Sequence, residues 1–483
     1  MAENLKQKAA RGLIWKFIEQ GGTQLIQFIA GIYIARKLSP EDYGLVGMMA
    51  IFLGISQMFI DSGFRATLIQ KGTDVTHDHY NVVFLFNLTV SILFYLLIFF
   101  LAPVIADFYT EPRLLWVARI LGLNLIFLSL SIIHQTILEK KLNFRTLTKI
   151  RLVSIFISVV VGIVLAVMNF GVWALVLMTI SESFIRTLLV WLINKWLPSF
   201  AFNRKIFKEL FANGVHIFFA GLLQQISENL YEMVIGKLFT TTDVGFFSQG
   251  KKLQRRVGDF INSSIQGVMY PVQTLMKDDI PRLKNALRKN VKVTTLVVLP
   301  ALMGLMAVAK PFIILFLTEK WLPSVYYLQV LCVSGAIYVI GSAASSFILP
   351  LGKFSFFSGF RIFNSALLVV IIVVGILFNV DLKILVLGKI IHEVVNFAVF
   401  MYFSEKLIGY RFIDVIVDIY PSLIYSLLMV TIVYLLGYFW GISFIVLLLQ
   451  VVIGGSLYLV LNYLFNRSMF AEILSVTHSI IRK

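Results

Sequence analysis

The sequence predicts an all-α polytopic membrane protein with about fourteen transmembrane helices. Hydrophobic residues make up 59% of its 483 residues, and charged residues make up only 14%. Long apolar runs occur, for example over residues 82–106 and 366–378, and about 20 apolar residues cross the roughly 30 Å hydrocarbon core of a bilayer. These runs lack the period-two alternation of a membrane β-barrel, so we expect the spans to be helices.

The candidate spans follow one another with short connections, which leaves no room for a sizeable soluble domain. The first span is long, follows Lys6, Lys8 and Arg11, and lacks a small-residue cleavage site. We therefore expect a retained helix and not a cleaved signal peptide. The fourteen spans cover roughly residues 12–36, 43–70, 82–106, 113–138, 150–168, 171–195, 211–238, 244–272, 292–317, 322–350, 357–378, 382–404, 414–437 and 442–465.

The placement of basic residues predicts the orientation. Most of the 42 Lys and Arg residues fall at the termini and in the even-numbered connections. A basic excess marks the cytoplasmic side, so both termini of this multi-pass protein are predicted to be cytoplasmic. The net charge of +17 is then a topology signal that also attracts anionic membrane lipids, and a nucleic-acid partner is not expected. The single cysteine, Cys332, excludes an intrachain disulfide.

The chain contains an internal repeat. Residues 35–44 (ARKLSPEDYG) resemble 235–245, residues 108–114 (FYTEPRL) resemble 316–322, and the short segments KKLNF and GKFSF also match. Each repeat holds six spans, which predicts two parallel lobes related by an axis along the membrane normal. The predicted domains are an N-lobe (1–197), a cytoplasmic linker (198–210), a C-lobe (211–405), and spans thirteen and fourteen with the tail (406–483).

Four cations interrupt the eighth span within the segment QGKKLQRRVGDF, residues 249–260. The matching positions of the first repeat are apolar or small, so the scaffold does not require charge there. With a span start near residue 244, Arg255 lies about 16 Å along the helix, near the bilayer midplane. A lipid-facing charge at that depth costs roughly 2.5–3.5 kcal/mol, so these side chains are predicted to face protein or water. They are Lys251, Lys252, Arg255 and Arg256.

Three interpretations of these cations are open. They line a water-filled cavity that binds an anion, or they form internal pairs with Glu228, Glu232 and Asp259, or the span begins later and they lie in a connection. The cavity interpretation is favoured because the remainder of the span is poorly hydrophobic and the three acids do not balance four bases. Arg and Lys are natural partners of phosphate, so this interpretation predicts a transporter for a phosphate-bearing or carboxylate-bearing substrate.

Three segments resemble a known family. LSPEDYG, DSGFRATLIQK (61–71) and ENLYEMVIGKLF (228–239) are similar to the polysaccharide-unit (Wzx-type, colanic-acid-exporter-like) flippases of the multidrug/oligosaccharidyl-lipid/polysaccharide exporter superfamily. The resemblance covers the whole chain. It implies two six-helix lobes, a central cavity, two extra C-terminal helices and alternating access.

The same resemblance implies a cargo and a pathway. The cargo would be an undecaprenyl-pyrophosphate-linked oligosaccharide, whose pyrophosphate would bind the four cations of span eight. The pathway would be surface polysaccharide, exopolysaccharide or lipopolysaccharide assembly, with polysaccharide-assembly proteins as possible partners of a monomeric flippase.

Other ionisable residues inside the spans are candidates for coupling or gating. Asp61 and Arg65, and likewise Glu182 and Arg186, are spaced as i, i+4 pairs and are interpreted first as structural pairs. Lys389, His392 and Glu393 form a cluster in span twelve. The sequence THDHY (76–80) is interpreted as the start of a helix, and no metal or cofactor is predicted. The candidate coupling or gating residues are Asp61, Arg65, Glu182, Arg186, Glu228, Glu232, Asp259 and Glu393.

Two other classes of function fit the sequence less well. A cation-coupled multidrug antiporter of the same superfamily usually has twelve spans and an acidic cavity, whereas this chain has fourteen predicted spans and a basic span eight. A membrane polysaccharide polymerase or ligase typically carries a large external loop, and the external connections here are short. The sequence shows no Walker motif, Rossmann fingerprint or nucleophile elbow, so an ATP-driven pump or an enzyme is not expected.

Overall fold

The computed structural model describes residues 2–71, 74–199, 201–348 and 350–465. This part of the chain is helical, with a π-helical turn at Ile313–Leu317 and a short 3-10 helix at Glu319–Trp321. The α-helices are α1 (Ala2–Lys37), α2 (Pro40–Asp61), α3 (Phe64–Gln70), α4 (His77–Phe108), α5 (Leu114–Lys140), α6 (Phe144–Val167), α7 (Val172–Ile193), α8 (Arg204–Leu238), α9 (Thr241–Leu275), α10 (Ile280–Ala307), α11 (Ala309–Phe312), α12 (Ser324–Ser345), α13 (Phe354–Leu377), α14 (Leu382–Ile408), α15 (Phe412–Trp440) and α16 (Phe444–Phe465).

The helices confirm the predicted fold class. Each of the fourteen predicted spans lies on one or more of these helices. Within the described residues, eleven helical segments are long and apolar enough to cross a membrane. The predicted spans outside that set are the ones on α1, α8 and α9, which are richer in polar residues.

Several predicted spans differ from the observed helices, and the helices of spans seven and nine begin at Arg204 and Ile280, earlier than the predicted residues 211 and 292. Span two is broken into α2 and α3, because Ser62 and Gly63 both have positive φ, at 44° and 73°. Span eight begins at Thr241, three residues earlier than predicted.

The chain divides into two compact units, residues 1–245 and 246–483. In the first unit α4 packs on α5, α1 and α7 pack on α6, and α2 packs on α8. Phe64 at the start of α3 is fully buried there, in a core cluster with Leu68 and Phe84. The predicted N-lobe, linker and C-lobe boundaries stay a prediction.

In the second unit α12 lies against both α10 and α14, and α15 packs on α10 and α16. One of its core clusters contains Leu283 of α10, Ala343 of α12, Met401 of α14 and Val415 of α15. Apolar side chains from four helices therefore meet in one core, as burial of apolar surface requires. The helices α15 and α16, which the repeat analysis left outside the duplication, are thus held by α10.

The internal repeat has matching local structure. At the start of α2, Ser39 Oγ accepts a hydrogen bond from the Asp42 backbone N–H at 3.3 Å, and the Asp42 carboxylate accepts one from the Ser39 N–H at 2.9 Å. At the start of α9, Thr240 and Asp243 make the same two bonds, at 3.1 and 3.2 Å. Both helices therefore begin with a capping box.

The backbone repeats at two later turns as well. Thr110 and Thr318, which occupy equivalent positions in FYTEPRL and FLTEKWL, both have positive φ, at 53° and 88°. The third sequence match is wrong by two residues. It placed Phe144 opposite Phe356, whereas the helices α6 and α13 begin at Phe144 and Phe354. A left-handed residue precedes each helix start by two positions, Leu142 in one repeat and Gly352 in the other.

Two equivalent glycines make a close helix crossing. An ideal Cβ on Gly44 would lie 1.9 Å from the carbonyl oxygen of Thr241, and one on Gly245 would lie 1.9 Å from the carbonyl oxygen of Pro40. The contact is reciprocal, because Gly44 and Gly245 occupy matching positions of the repeat. Each glycine contacts the first turn of the helix that carries the other. Only residues without a side chain permit this approach of backbone to backbone.

Candidate functional site

The four cations of QGKKLQRRVGDF lie on the helix α9. This helix has 35 residues and is therefore about 52 Å long, so Arg255 lies about 21 Å from its start. The helix runs through all four of these residues, so they do not lie in a loop, and their depth in the membrane stays a prediction. Lys252 is exposed, whereas Lys251, Arg255 and Arg256 are half-buried.

One acidic residue on the same helix pairs with this group. Arg255 Nε donates to Asp259 Oδ2 at 3.1 Å, and their side chains are 40% and 55% exposed. The pair has the i, i+4 spacing that the sequence indicates. Because both groups are well exposed, their attraction is screened by water and weak.

The opposite face of α9 is fixed by close packing on α12. An ideal Cβ on Gly250 would lie 2.9 Å from the backbone nitrogen of Leu328, and one on Gly335 would lie 2.1 Å from the Nε2 of Gln254. Leu253 and Gln254 are buried in this contact. These glycine contacts fix the rotation of α9 about its own axis. They therefore determine the direction of the helix faces that carry the cations.

The second unit contains a cavity of about 340 Å³ between α9, α12, α13 and α14, with both polar and apolar residues in its lining. Gln266 of α9 follows Arg255 by eleven residues, close to three helical turns, and so lies on the same helix face about 16 Å further along. The face of α9 that carries Arg255 and Asp259 thus continues into this cavity. The polar lining residues that matter here are Gln266, Ser342, Arg361, Asn364, Glu393 and Asn396.

Glu393 is the buried carboxylate of this cavity, with 7% exposure. Its Oε1 is 3.1 Å from His392 Nδ1 and 3.8 Å from Lys389 Nζ, which confirms the cluster predicted in span twelve. The other ring nitrogen of His392 is 3.1 Å from the carbonyl oxygen of Asn364. Asn396 also contacts Asn364, while its own Oδ1 lacks a partner in the described part of the chain.

Sequence reasoning missed Arg361, Asn364 and Asn396. A signal for Asn396 was present, because it follows His392 by four residues and shares its face of an otherwise apolar helix. Arg361 and Asn364 lie on α13, and nothing in their local sequence links them to Glu393 on α14.

The charged residues of the first unit form other pairs. The predicted Asp61–Arg65 pair is wrong, because Arg65 forms a two-bond ion pair with Glu139 of α5, with Nε 3.2 Å from Oε2. The break at Ser62 and Gly63 separates Asp61 and Arg65 into different helices. The Glu182–Arg186 pair is confirmed, at 3.8 Å.

The two acids of α8 are placed in the first unit. Glu228 Oε1 accepts a hydrogen bond from Gln224 at 2.7 Å, and Glu232 is 4% exposed. Their pairing with the cations of α9 stays a prediction.

The segment THDHY starts a helix, as predicted. Thr76 caps α4, and its backbone N–H is 3.2 Å from the Nδ1 of His79. Within the residues that the structure describes, there is no group of three or more His, Cys, Asp or Glu side chains that could hold a metal ion.

A strong ion cluster that the sequence did not reveal connects α10 to α15. The Asp418 carboxylate is 1% exposed and accepts two hydrogen bonds from Arg288, each 2.8 Å long. Lys292 Nζ lies 3.2 Å from the same carboxylate, and the Tyr410 hydroxyl donates to it at 2.9 Å. Charge-assisted bidentate bonds of this kind are among the strongest in proteins, so the cluster holds α15 in place.

The family model and the relatives named below identify a flippase-type membrane transporter. The chain belongs to the polysaccharide biosynthesis protein family, whose sequence model matches residues 33–326. Its eleven long apolar helices in the described part of the chain make it a multi-pass membrane protein.

Named proteins support this assignment. The chain is 26% identical to the teichuronic acid biosynthesis protein TuaB of Bacillus subtilis (strain 168), over 72% of this chain and 73% of TuaB. It is 22% identical to the lipopolysaccharide biosynthesis protein WzxC of Escherichia coli (strain K12), over 77% and 76% of the two chains. Its fold matches that of the lipid II flippase MurJ in an inward closed conformation, with a TM-score of 0.76 and 15% identity over 95% of this chain and 99% of MurJ.

Proposed function

We propose that this protein flips an undecaprenyl-pyrophosphate-linked oligosaccharide repeat unit across the bacterial inner membrane, for surface polysaccharide, exopolysaccharide or lipopolysaccharide assembly. The observation that carries the proposal is the group of four cations on one helix, α9, which is predicted to span the membrane. The names of the relatives support a polysaccharide cargo. The likeness to MurJ supports a fold that suits a lipid-linked cargo.

The chemistry of the head group explains the need for cations. A pyrophosphate carries negative charge that cannot enter hydrocarbon without a large desolvation cost. Lys251, Lys252, Arg255 and Arg256 would offset that cost with charge-assisted hydrogen bonds, Arg through its two-pronged guanidinium. The prenyl tail would stay in the lipid while the head group moves past α9.

Alternating access requires that one end of the transporter closes while the other opens. The reciprocal crossing of Gly44 and Gly245 lies at the predicted external end of α2 and α9. Because backbone carbonyls fill the space that a side chain would need, we propose that this crossing closes the external side and separates when the transporter opens outward.

We expect Gly44→Leu and Gly245→Leu to shift the population towards the outward-open state. A leucine cannot fit against the carbonyl oxygens of Thr241 and Pro40, so the closed crossing is destabilised. The measurement is labelling of an Asn229→Cys reporter on α8 by a membrane-impermeant maleimide added outside. The native Cys332 is fully buried and gives little background.

Gly21→Leu is the matched control for the glycine variants, since an added Cβ at Gly21 meets nothing within 4 Å. It should label like the parent protein. Unchanged labelling of the Gly44 and Gly245 variants would show that the crossing does not close the external side.

Among the predicted coupling residues, Glu393 is the one we favour as the proton carrier. It lines a cavity, it is buried, and it lies beside His392 and Lys389. Asp61, Glu182, Glu228, Glu232 and Asp259 stay predicted alternatives for coupling or gating, together with Arg65 and Arg186.

We expect Glu393→Gln to remove the stimulation of transport by an imposed proton gradient, because the amide cannot take up and release a proton. Transport would be measured in proteoliposomes with and without a pH difference. Glu405→Gln, at an exposed position on the same helix, is the control and should keep the stimulation. A Glu393→Gln protein that still responds fully to the gradient would exclude this residue from coupling.

The charge of α9 disfavours the alternative of a multidrug antiporter for cationic drugs, since like charges repel. We further propose that both termini are cytoplasmic and that the protein acts as a monomer that passes its cargo to polysaccharide-assembly proteins. Fusion of a reporter enzyme to the C-terminus would test the orientation.

A further inference from the structure

A second cavity, separate from α9, lies in the first unit at the predicted cytoplasmic ends of α4, α5, α6 and α7. Its volume is about 730 Å³, within the range of about 300–1,000 Å³ that is typical of small-molecule sites. Its lining includes Tyr80, Lys140, Lys141, Asn194, Lys195 and Trp196. We refer to it as the basic cleft.

The basic cleft has an excess of positive charge. In the described part of the chain, none of its three lysines has an acidic side chain at ion-pair distance. The carboxylate of Glu139, which precedes Lys140, forms an ion pair with Arg65. The acid that attracts Lys140 electrostatically is Asp74. This exposed residue lies in the connection before α4 and is not part of the cleft lining. The cleft is therefore suited to an anion.

Aromatic rings form one wall of the basic cleft. The ring centroids of Tyr80 and Trp196 are 6.3 Å apart, and Lys140 Nζ is 5.8 Å from the centroid of the Tyr80 ring. The Nε1–H of Trp196 is buried and has no acceptor in the described residues. Trp and Tyr are typical of the membrane–water interface, where one side of the ring contacts lipid and the other contacts polar groups.

Apolar side chains continue from the basic cleft along the outside of the helix bundle. Leu192, Ile193 and Leu197 are 71%, 49% and 69% exposed, and Ile193 also lines the cleft. A free phosphate would gain nothing from these residues, whereas the acyl chains of a lipid would lie against them. The combination of lysines, aromatic rings and an adjoining apolar surface is suited to a phospholipid with a charged headgroup.

We propose that the basic cleft binds the phosphate-bearing headgroup of an anionic membrane phospholipid, with Lys140, Lys141 and Lys195 around the phosphate and the acyl chains along Leu192 and Leu197. This site is distinct from the transported substrate and does not depend on the proposed flipping activity.

The test is binding of phosphatidylglycerol to the full-length protein in detergent, measured by native mass spectrometry and compared with phosphatidylcholine. We expect the parent protein to prefer phosphatidylglycerol by about tenfold, because several lysines contribute at the membrane surface. The variant Lys140→Gln/Lys141→Gln/Lys195→Gln should lose that preference. The matched control, Arg204→Gln/Lys205→Gln/Lys208→Gln, removes the same charge from the nearby start of α8 and should keep it.

Two further arms make the outcome decisive. Inorganic phosphate in excess should leave phosphatidylglycerol bound, and complete displacement would identify a free-anion site and overturn the proposal. Phosphatidylglycerol should also raise the thermal unfolding temperature of the parent protein relative to phosphatidylcholine, a measurement that needs no variant. Equal affinity of the parent protein for the two lipids, or equal losses in the cleft variant and the control, would contradict the proposal.

Discussion

Replacement of the four cations of α9 is expected to abolish polysaccharide export. In a strain that lacks its exporter, the variant Lys251→Gln/Lys252→Gln/Arg255→Gln/Arg256→Gln should fail to restore surface polysaccharide. Hydrogen bonds to charged groups contribute about 1.5–3 kcal/mol each. Loss of two or more such bonds to a pyrophosphate therefore lowers its binding by at least about 100-fold.

Two controls separate charge from folding in this experiment. Gln substitution of four exposed cations outside the α9 group should leave export near the parent level; they are Lys205, Lys208, Lys277 and Arg282. A charge-preserving swap, with Lys at the two Arg positions and Arg at the two Lys positions, should retain much of the activity. Full surface polysaccharide from the neutral variant, present in the membrane at the parent level, would remove these residues from the mechanism.

The largest effect on stability is expected from Asp418→Ala. The substitution leaves Arg288 and Lys292 without the carboxylate that now binds both of them. Arg288 and Lys292 are 35% and 38% exposed and stay partly hydrated, so the cost is below the roughly 3–5 kcal/mol for breaking a fully buried pair. We expect a clearly lower thermal unfolding temperature of the purified protein in detergent, with the loss located where α15 packs on α10.

A neighbouring acid provides the comparison for Asp418. Asp414 is 23% exposed and its carboxylate lies 4.0 Å from Lys284 Nζ, so Asp414→Asn should cost less than about 1 kcal/mol. The double variant Arg288→Met/Asp418→Leu should recover part of the lost stability, since well-packed apolar residues can replace a buried ion pair. If Asp418→Ala unfolds at the parent temperature, the cluster does not hold α15.

Features that depend on neighbouring residues were predictable from the sequence. The apolar runs marked the eleven spans that are long and apolar enough to cross a membrane, and the repeat matched the two helix starts that share a capping box, at Ser39–Asp42 and Thr240–Asp243. The i, i+4 pairs Glu182–Arg186 and Arg255–Asp259 also form as their spacing indicates. The prediction failed at Asp61 and Arg65, because the left-handed Ser62 ends α2 between them.

Contacts between distant helices were not predictable. Arg288 and Asp418 are separated by 130 residues, and no local pattern indicates that they meet. The same applies to Arg361 and Asn364 of α13, which join Glu393 in one cavity only because α13 and α14 pack together. The cations of α9 could be singled out because charge within a long apolar context is costly and therefore conspicuous.

The most direct measurement of the central claim is translocation of a fluorescent undecaprenyl-pyrophosphate-linked oligosaccharide in proteoliposomes that contain only the purified protein. We expect the parent protein to move the head group to the opposite leaflet and the four-fold neutral variant of α9 to leave it there at the rate of protein-free liposomes. Equal translocation by the two proteins, or no translocation by the parent protein, would contradict the claim that the cations of α9 carry a pyrophosphate-linked head group across the membrane.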